Sequence, residues 1–130
     1  MPEALNRDFS SHYQRQFSDI YITMIRTGII EGAGFTGGEL IRLLLNHPDV
    51  HLIFITGRGN SGQYIHEVHR GLYGETDLQF AEEPELDKID LLFLCTDAEE
   101  SRQFMQSHEI PERLKIIDFS REFRLKSEGD

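Results

Sequence analysis

A chain of 130 residues with 38% hydrophobic residues is sized for one domain with a modest core. Its 13 Lys and Arg against 23 Asp and Glu give a formal charge of −10, which argues against a nucleic-acid or acidic-membrane surface as the main partner. The single Cys95 leaves no intrachain disulfide framework and fits a reducing, cytoplasmic setting. No apolar run approaches membrane-spanning length, and the chain opens on residues too polar for a signal peptide.

Residues 1–22 read as an N-terminal extension. Phe9, Tyr13, Phe17 and Tyr21 recur every fourth residue, a spacing that would align them on one side of a helix. Such a helix could dock on a partner or on the domain's own surface; a frayed extension is the plainer reading. A homo-oligomer is left open.

Tyr21 to Ile30 is expected as the first strand, and Thr36 to Asn46 as the first helix, with Leu40, Leu43 and Leu44 as its buried stripe. Asn46-His47-Pro48 ends it, since proline cannot continue a helix. Between strand and helix, Gly32, Gly34 and Gly37 spell G-x-G-x-x-G. Glycines in that order permit a tight turn, close approach of backbone to a pyrophosphate, and close packing of helix on strand. The helix N-terminus then offers free N–H groups and a partial positive charge to phosphates.

Val50 to Thr56 is a second strand and Gly57 to Gly62 a glycine-rich loop. Tyr64 to Arg70 suggests a helical turn, Thr76 to Phe80 alternates as a short strand, and Ala81 to Lys88 is an acidic loop. Asp90 to Cys95 is a buried strand, Ala98 to His108 a helix and Leu114 to Phe119 a further strand. Strands alternating with helices imply an α/β fold with a doubly wound parallel sheet, and the strand–glycine turn–helix order makes the expected domain a Rossmann-like NAD(P)-binding one.

Cofactor choice in such a domain is set just past the second strand. A carboxylate there bonds the ribose 2′-OH of NAD, and an arginine accommodates the 2′-phosphate of NADP. The loop Gly57-Arg58-Gly59-Asn60-Ser61 carries Arg58 and no carboxylate.

Several separated motifs also resemble a known family. Gly28-Ile29-Ile30 followed by Gly34-Phe35-Thr36-Gly37-Gly38-Glu39-Leu40 is similar to the opening of N-acetyl-γ-glutamyl-phosphate reductase, the NADP-dependent enzyme of arginine biosynthesis. Glu67-Val68-His69, Gly71-Leu72-Tyr73-Gly74, Leu92-Phe93-Leu94-Cys95-Thr96, Ile117-Asp118-Phe119-Ser120 and Phe123-Arg124-Leu125 continue the likeness in order. It starts near Met24 and implies a NADP-binding domain over residues 23–126. The resemblance implies NADP as cofactor, with Gly32, Gly34, Phe35, Thr36, Gly37, Arg58 and Thr96 as the residues that bind it. It also implies that catalysis, the NADPH-dependent reduction of an acyl phosphate to a semialdehyde, needs a second, substrate-binding domain. There a cysteine in a Gly-Cys motif absent from this chain attacks the acyl phosphate. No catalytic residue is therefore expected in this chain.

Three departures from that family bear on cofactor affinity. Glu31 stands where the turn usually begins with glycine, and a carboxylate beside a pyrophosphate is repulsive. Asp97-Ala98-Glu99-Glu100 replaces a histidine and a glycine after the fourth expected strand, so Asp97 and Glu99 add negative charge. Gly57 and Gly59 replace hydroxyl residues beside Arg58. The alternative reading is therefore a non-catalytic Rossmann-like interaction or structural module that has lost its cofactor.

The remaining reactive side chains read as structural. Cys95 ends an apolar strand with no adjacent base, and Asp97 would disfavour its thiolate. His66 and His69 sit at i, i+3, and two ligands alone do not make a zinc site, so no metal is expected. No G-x-S-x-G nucleophile elbow occurs. Arg124, beyond the last strand, is an exposed arginine or a contact for an anion.

Overall fold

The structure, a computed structural model, describes residues 24–120. The aromatic repeat of Phe9, Tyr13, Phe17 and Tyr21, and the segment holding Arg124, lie outside the described residues. The elements are β1 (Ile25–Ile30), α1 (Phe35–Leu45), β2 (Val50–Ile55), α2 (Ile65–Val68), β3 (Leu91–Leu94), α3 (Ala98–Ser107) and β4 (Lys115–Asp118). Short 3-10 turns occupy Arg70–Leu72 and Leu86–Lys88.

The four strands form one parallel sheet in the order β2-β1-β3-β4. From β1 the chain winds to one side through α1, then crosses back to build β3 and β4 on the other. Its carboxyl edge between β1 and β3 is therefore a topological switch point, where open α/β sheets bind ligands.

Alternation along the strands sends apolar side chains to both faces, which is why these runs read as nearly continuous hydrophobic stretches. Ile29 and Phe93 pack with Ile41 and Leu44 of α1 on one face. Ile30, Leu92 and Leu94 pack with Phe104 of α3 on the other. Full burial of side chains such as Ile29, Ile41 and Leu92 contributes about 1.5–3 kcal/mol each to folding.

Two expectations are corrected. The inward line of α1 runs through Gly37, Ile41 and Leu44, whereas Leu43 is exposed. At 100° per residue, a line set by Gly37 against the turn turns Leu43 outward. The expected strand Thr76–Phe80 is instead an irregular segment held by two isolated bridges, Tyr64 to Gln79 and Thr56 to Ala81. Its pairing is split between the α2 region and the end of β2, so no continuous ladder forms.

The β1–β2 register shifts between Thr27 and Gly28, which pair with Leu52 and Phe54. The extra residue, Ile53, lets Leu52 and Ile55 both join the α1 face although they are three apart. Gly28 accommodates the result: a Cβ there would collide with the ring of Phe54.

Candidate functional site

The turn after β1 is built by contacts that only glycine permits. A Cβ on Gly37 would lie 2.5–2.6 Å from the backbone of Gly32, so the third glycine seats α1 directly on the turn. A Cβ on Gly34 would meet nothing within 4 Å, leaving that position open toward the carboxyl edge. From the far side, His69 Nε2–H donates to the Gly32 carbonyl at 2.6 Å. Gly38 makes room for that imidazole, since a Cβ there would lie 2.6 Å from Nδ1. His69 is thus a clamp on the turn, and His66 stacks on Tyr64 and meets Tyr73 edge to face. Among the described residues no group of three or more His, Cys, Asp or Glu is placed to hold a metal ion.

The two long helices present different N-termini to the carboxyl edge. α1 begins at Gly34, which makes no side-chain cap, and its first turn carries no acidic residue. Its first N–H groups lack intrahelical partners and keep the positive end of the helix dipole. α3 begins at Asp97, whose carboxylate accepts from the Glu100 N–H at 2.8 Å while the Glu100 side chain reaches back to the Asp97 N–H. That capping box, with Glu99 and Glu100 in the first turn, occupies and neutralises the α3 terminus. Glu99 in turn pairs with Arg102. Asp97 and Glu99, expected to crowd a phosphate, are therefore engaged on α3, and of the two N-termini only that of α1 is left without a side-chain cap.

A cleft of about 380 Å³ lies beside the turn, lined among others by Glu31, Thr56, Arg58, Ser61, Phe104 and His108. Glu31 occupies it with left-handed backbone, φ 63°, a conformation glycine adopts freely and a glutamate does not. Its carboxylate accepts from the Arg58 N–H at 2.9 Å, and its own N–H donates to Thr56 Oγ1 at 3.3 Å. These bonds fasten the turn after β1 to the loop after β2. The guanidinium of Arg58 forms an ion pair with Glu100.

Of the residues expected to bind cofactor, Arg58 lines the cleft. Gly32, Gly34 and Gly37 form the adjoining turn and helix start. Phe35 and Thr36 are exposed in the first turn of α1. Thr96 sits just past β3, its hydroxyl 2.6 Å from that of Ser101, which in turn donates to Asp118 at 3.2 Å. Ser61 supplies a hydroxyl near Arg58 that Gly57 and Gly59 lack. Phe104 and His108 also line the cleft, which the sequence reading did not anticipate; their i, i+4 spacing, which puts them on one side of α3 and its C-cap, is the signal that could have paired them. Cys95 is partly buried at the end of β3, and burial pushes its thiol up to about 11, so it is not an activated nucleophile.

An all-parallel sheet with helices on both faces, a glycine turn at its switch point and an uncapped helix N-terminus above that turn define a Rossmann-like dinucleotide-binding domain. The sequence matches the family model described as semialdehyde dehydrogenase, NAD binding domain, over residues 26–129, and the chain belongs to that family. It is 56% identical over 105 residues to N-acetyl-gamma-glutamyl-phosphate reductase of Bacteroides thetaiotaomicron, covering 81% of this chain and 33% of the relative. The reductase of Phocaeicola vulgatus is 58% identical over 105 residues with the same coverage. The chain spans about a third of the length of these curated relatives. A crystal structure of aspartate semialdehyde dehydrogenase with NADP from Candida albicans shares the fold at a TM-score of 0.61 and 16% identity, over 77% of this chain and 30% of that one. Among the described residues no helix is long and apolar enough to cross a membrane.

Proposed function

We propose that this chain is the NADP-holding domain of an N-acetyl-γ-glutamyl-phosphate reductase, with residues 23–126 as the domain and residues 1–22 as an extension, working in the cytoplasm. The observation that carries the reading is the pairing of an uncapped α1 N-terminus with Arg58 on the loop after β2. The pyrophosphate would lie over Gly32–Gly37, where first-turn N–H groups and the helix dipole favour an anion. Arg58 would face the 2′-phosphate, with Ser61 as a hydroxyl partner. NADP, when bound, supplies the hydride; the chain's own residues bind and orient it.

Reduction of an acyl phosphate also needs an activated thiolate beside the nicotinamide. Burial raises the Cys95 thiol to about 11, which does not fit that role, and in this reading the chain holds the cofactor and leaves the thiol chemistry to a second domain. A second reading, a module that has lost its cofactor, draws on Glu31, Glu82 and Glu83 lining the cleft. Titrating NADPH into the purified chain separates the two. A saturable change in nicotinamide fluorescence supports the first reading, and its absence up to millimolar NADPH supports the second.

A further inference from the structure

Arg58 is held by two carboxylates at once. Glu31 accepts from its backbone N–H, and Glu100 pairs with its guanidinium. Glu100 divides its own carboxylate: Oε1 accepts from the Asp97 N–H at 3.3 Å, while Oε2 takes the guanidinium. It stands one turn before Phe104 and two before His108, which line the cleft, and it reaches the cleft through its pair with Arg58. Its side chain is only 26% exposed, against 73% for Arg58, so the arginine is the movable partner and the glutamate the fixed one.

From this arrangement we infer that Glu100 is a specificity-determining residue of the nucleotide site, which lowers the discrimination of NADP over NAD. The inference rests on the reading of this cleft as the site of the adenosine ribose. A 2′-phosphate that takes Arg58 must displace Glu100 or share the guanidinium with it. Either way a fixed carboxylate faces a phosphate group of the same sign. A 2′-hydroxyl has the opposite relation to Glu100, because it can donate to the carboxylate as ribose hydroxyls do to acidic residues in NAD sites. Arg58 and Glu100 together therefore form a two-sided reader, with the cation favouring the phosphate and the carboxylate favouring the hydroxyl.

The test is calorimetric titration of NADP and NAD, and of 2′,5′-ADP and 5′-AMP, into the parent chain, Glu100→Gln, Arg58→Ala and the double variant. Glutamine retains the N3 position of the capping box, so the fold is kept, and an unchanged melting temperature checks it. Glu100→Gln is expected to tighten NADP and 2′,5′-ADP about five- to thirtyfold, with NAD and 5′-AMP unchanged or weaker. In the Arg58→Ala background, where the phosphate is no longer drawn to this spot, the gain should shrink to about twofold or less. If NADP binds the parent but its ratio to NAD is the same or lower in Glu100→Gln, the inference fails and the cofactor reading stands. If the parent binds neither dinucleotide, the cofactor reading fails and the inference with it.

Discussion

Gly34 and Gly37 are two glycines of one motif with separable jobs, and alanine at each should reveal them. At Gly37 the added Cβ lies 2.5–2.6 Å from the Cα, C and O of Gly32, all backbone atoms that cannot rotate away. Overpacking of that kind costs about 3 kcal/mol, and better helix propensity returns up to about 1, leaving a net loss of about 2 kcal/mol. In a domain of this size that lowers the melting temperature by about 8–16 °C. Gly34 has φ −81° and ψ −177°, open to any residue, and its Cβ would meet nothing within 4 Å. Gly34→Ala should therefore stay within about 1 kcal/mol of the parent while weakening NADP at least about tenfold, because the methyl group fills the approach to the α1 N–H groups. Urea unfolding and calorimetric NADP titration on the same preparations give both quantities. A Gly37→Ala chain as stable as the parent, or a Gly34→Ala chain with parental affinity, would refute the assignment.

Glu31→Gly removes a left-handed glutamate and its bond to the Arg58 N–H, two effects of about 1 kcal/mol that nearly offset in stability. It should tighten NADP about five- to a hundredfold by calorimetry; unchanged affinity would mean that the carboxylate stays on the Arg58 N–H and away from the phosphates. Cys95, with a pKa of about 11, should be roughly a thousandth thiolate at pH 8 and react with iodoacetamide about a hundred times more slowly than a free cysteine. NADP-dependent turnover by this chain that vanished in Cys95→Ala would contradict that assignment. The hydrogen-bonded Arg26 guanidinium, helped by Arg113, holds the Asp90 carboxyl at about 2, below its ordinary 3.8. A depressed carboxyl stabilises above its unfolded value, so Asp90→Asn should cost under about 1 kcal/mol at pH 7, as expected for so exposed a pair. In urea unfolding the difference should fade as pH falls from 3.8 toward about 2.

How much of this was legible before the fold was known follows from the range of the interactions. β2 and β3 are local apolar runs between breakers, so VHLIFI and LLFL announced themselves, and the glycine turn did so through spacing alone. Leu43 was misplaced because the inward face of α1 is set by Gly37 against Gly32, a contact that hydrophobic periodicity does not register. The shift at Ile53 was equally hidden, since a register exists only between two strands. Arg58 could be nominated because the role proposed for it depends on distance along the chain from the glycines. Its partner Glu100 is 42 residues further on, brought near by the crossing of the chain from β2 to β3. The D-x-x-E spacing of Asp97 and Glu100 carried a capping box in plain sight, and with it the reason these carboxylates leave the α1 terminus open.

Amide chemical-shift mapping on the ¹⁵N-labelled chain during NADP titration tests the central claim most directly, because it reports where the cofactor sits as well as whether it binds. The account predicts saturable shifts concentrated at Gly32–Gly37 and at Arg58–Ser61, with the Arg58–Ser61 group responding less to NAD. Saturable shifts confined to the separate groove around Arg42, His69 and Gly71, or no saturable shift at all, would contradict it.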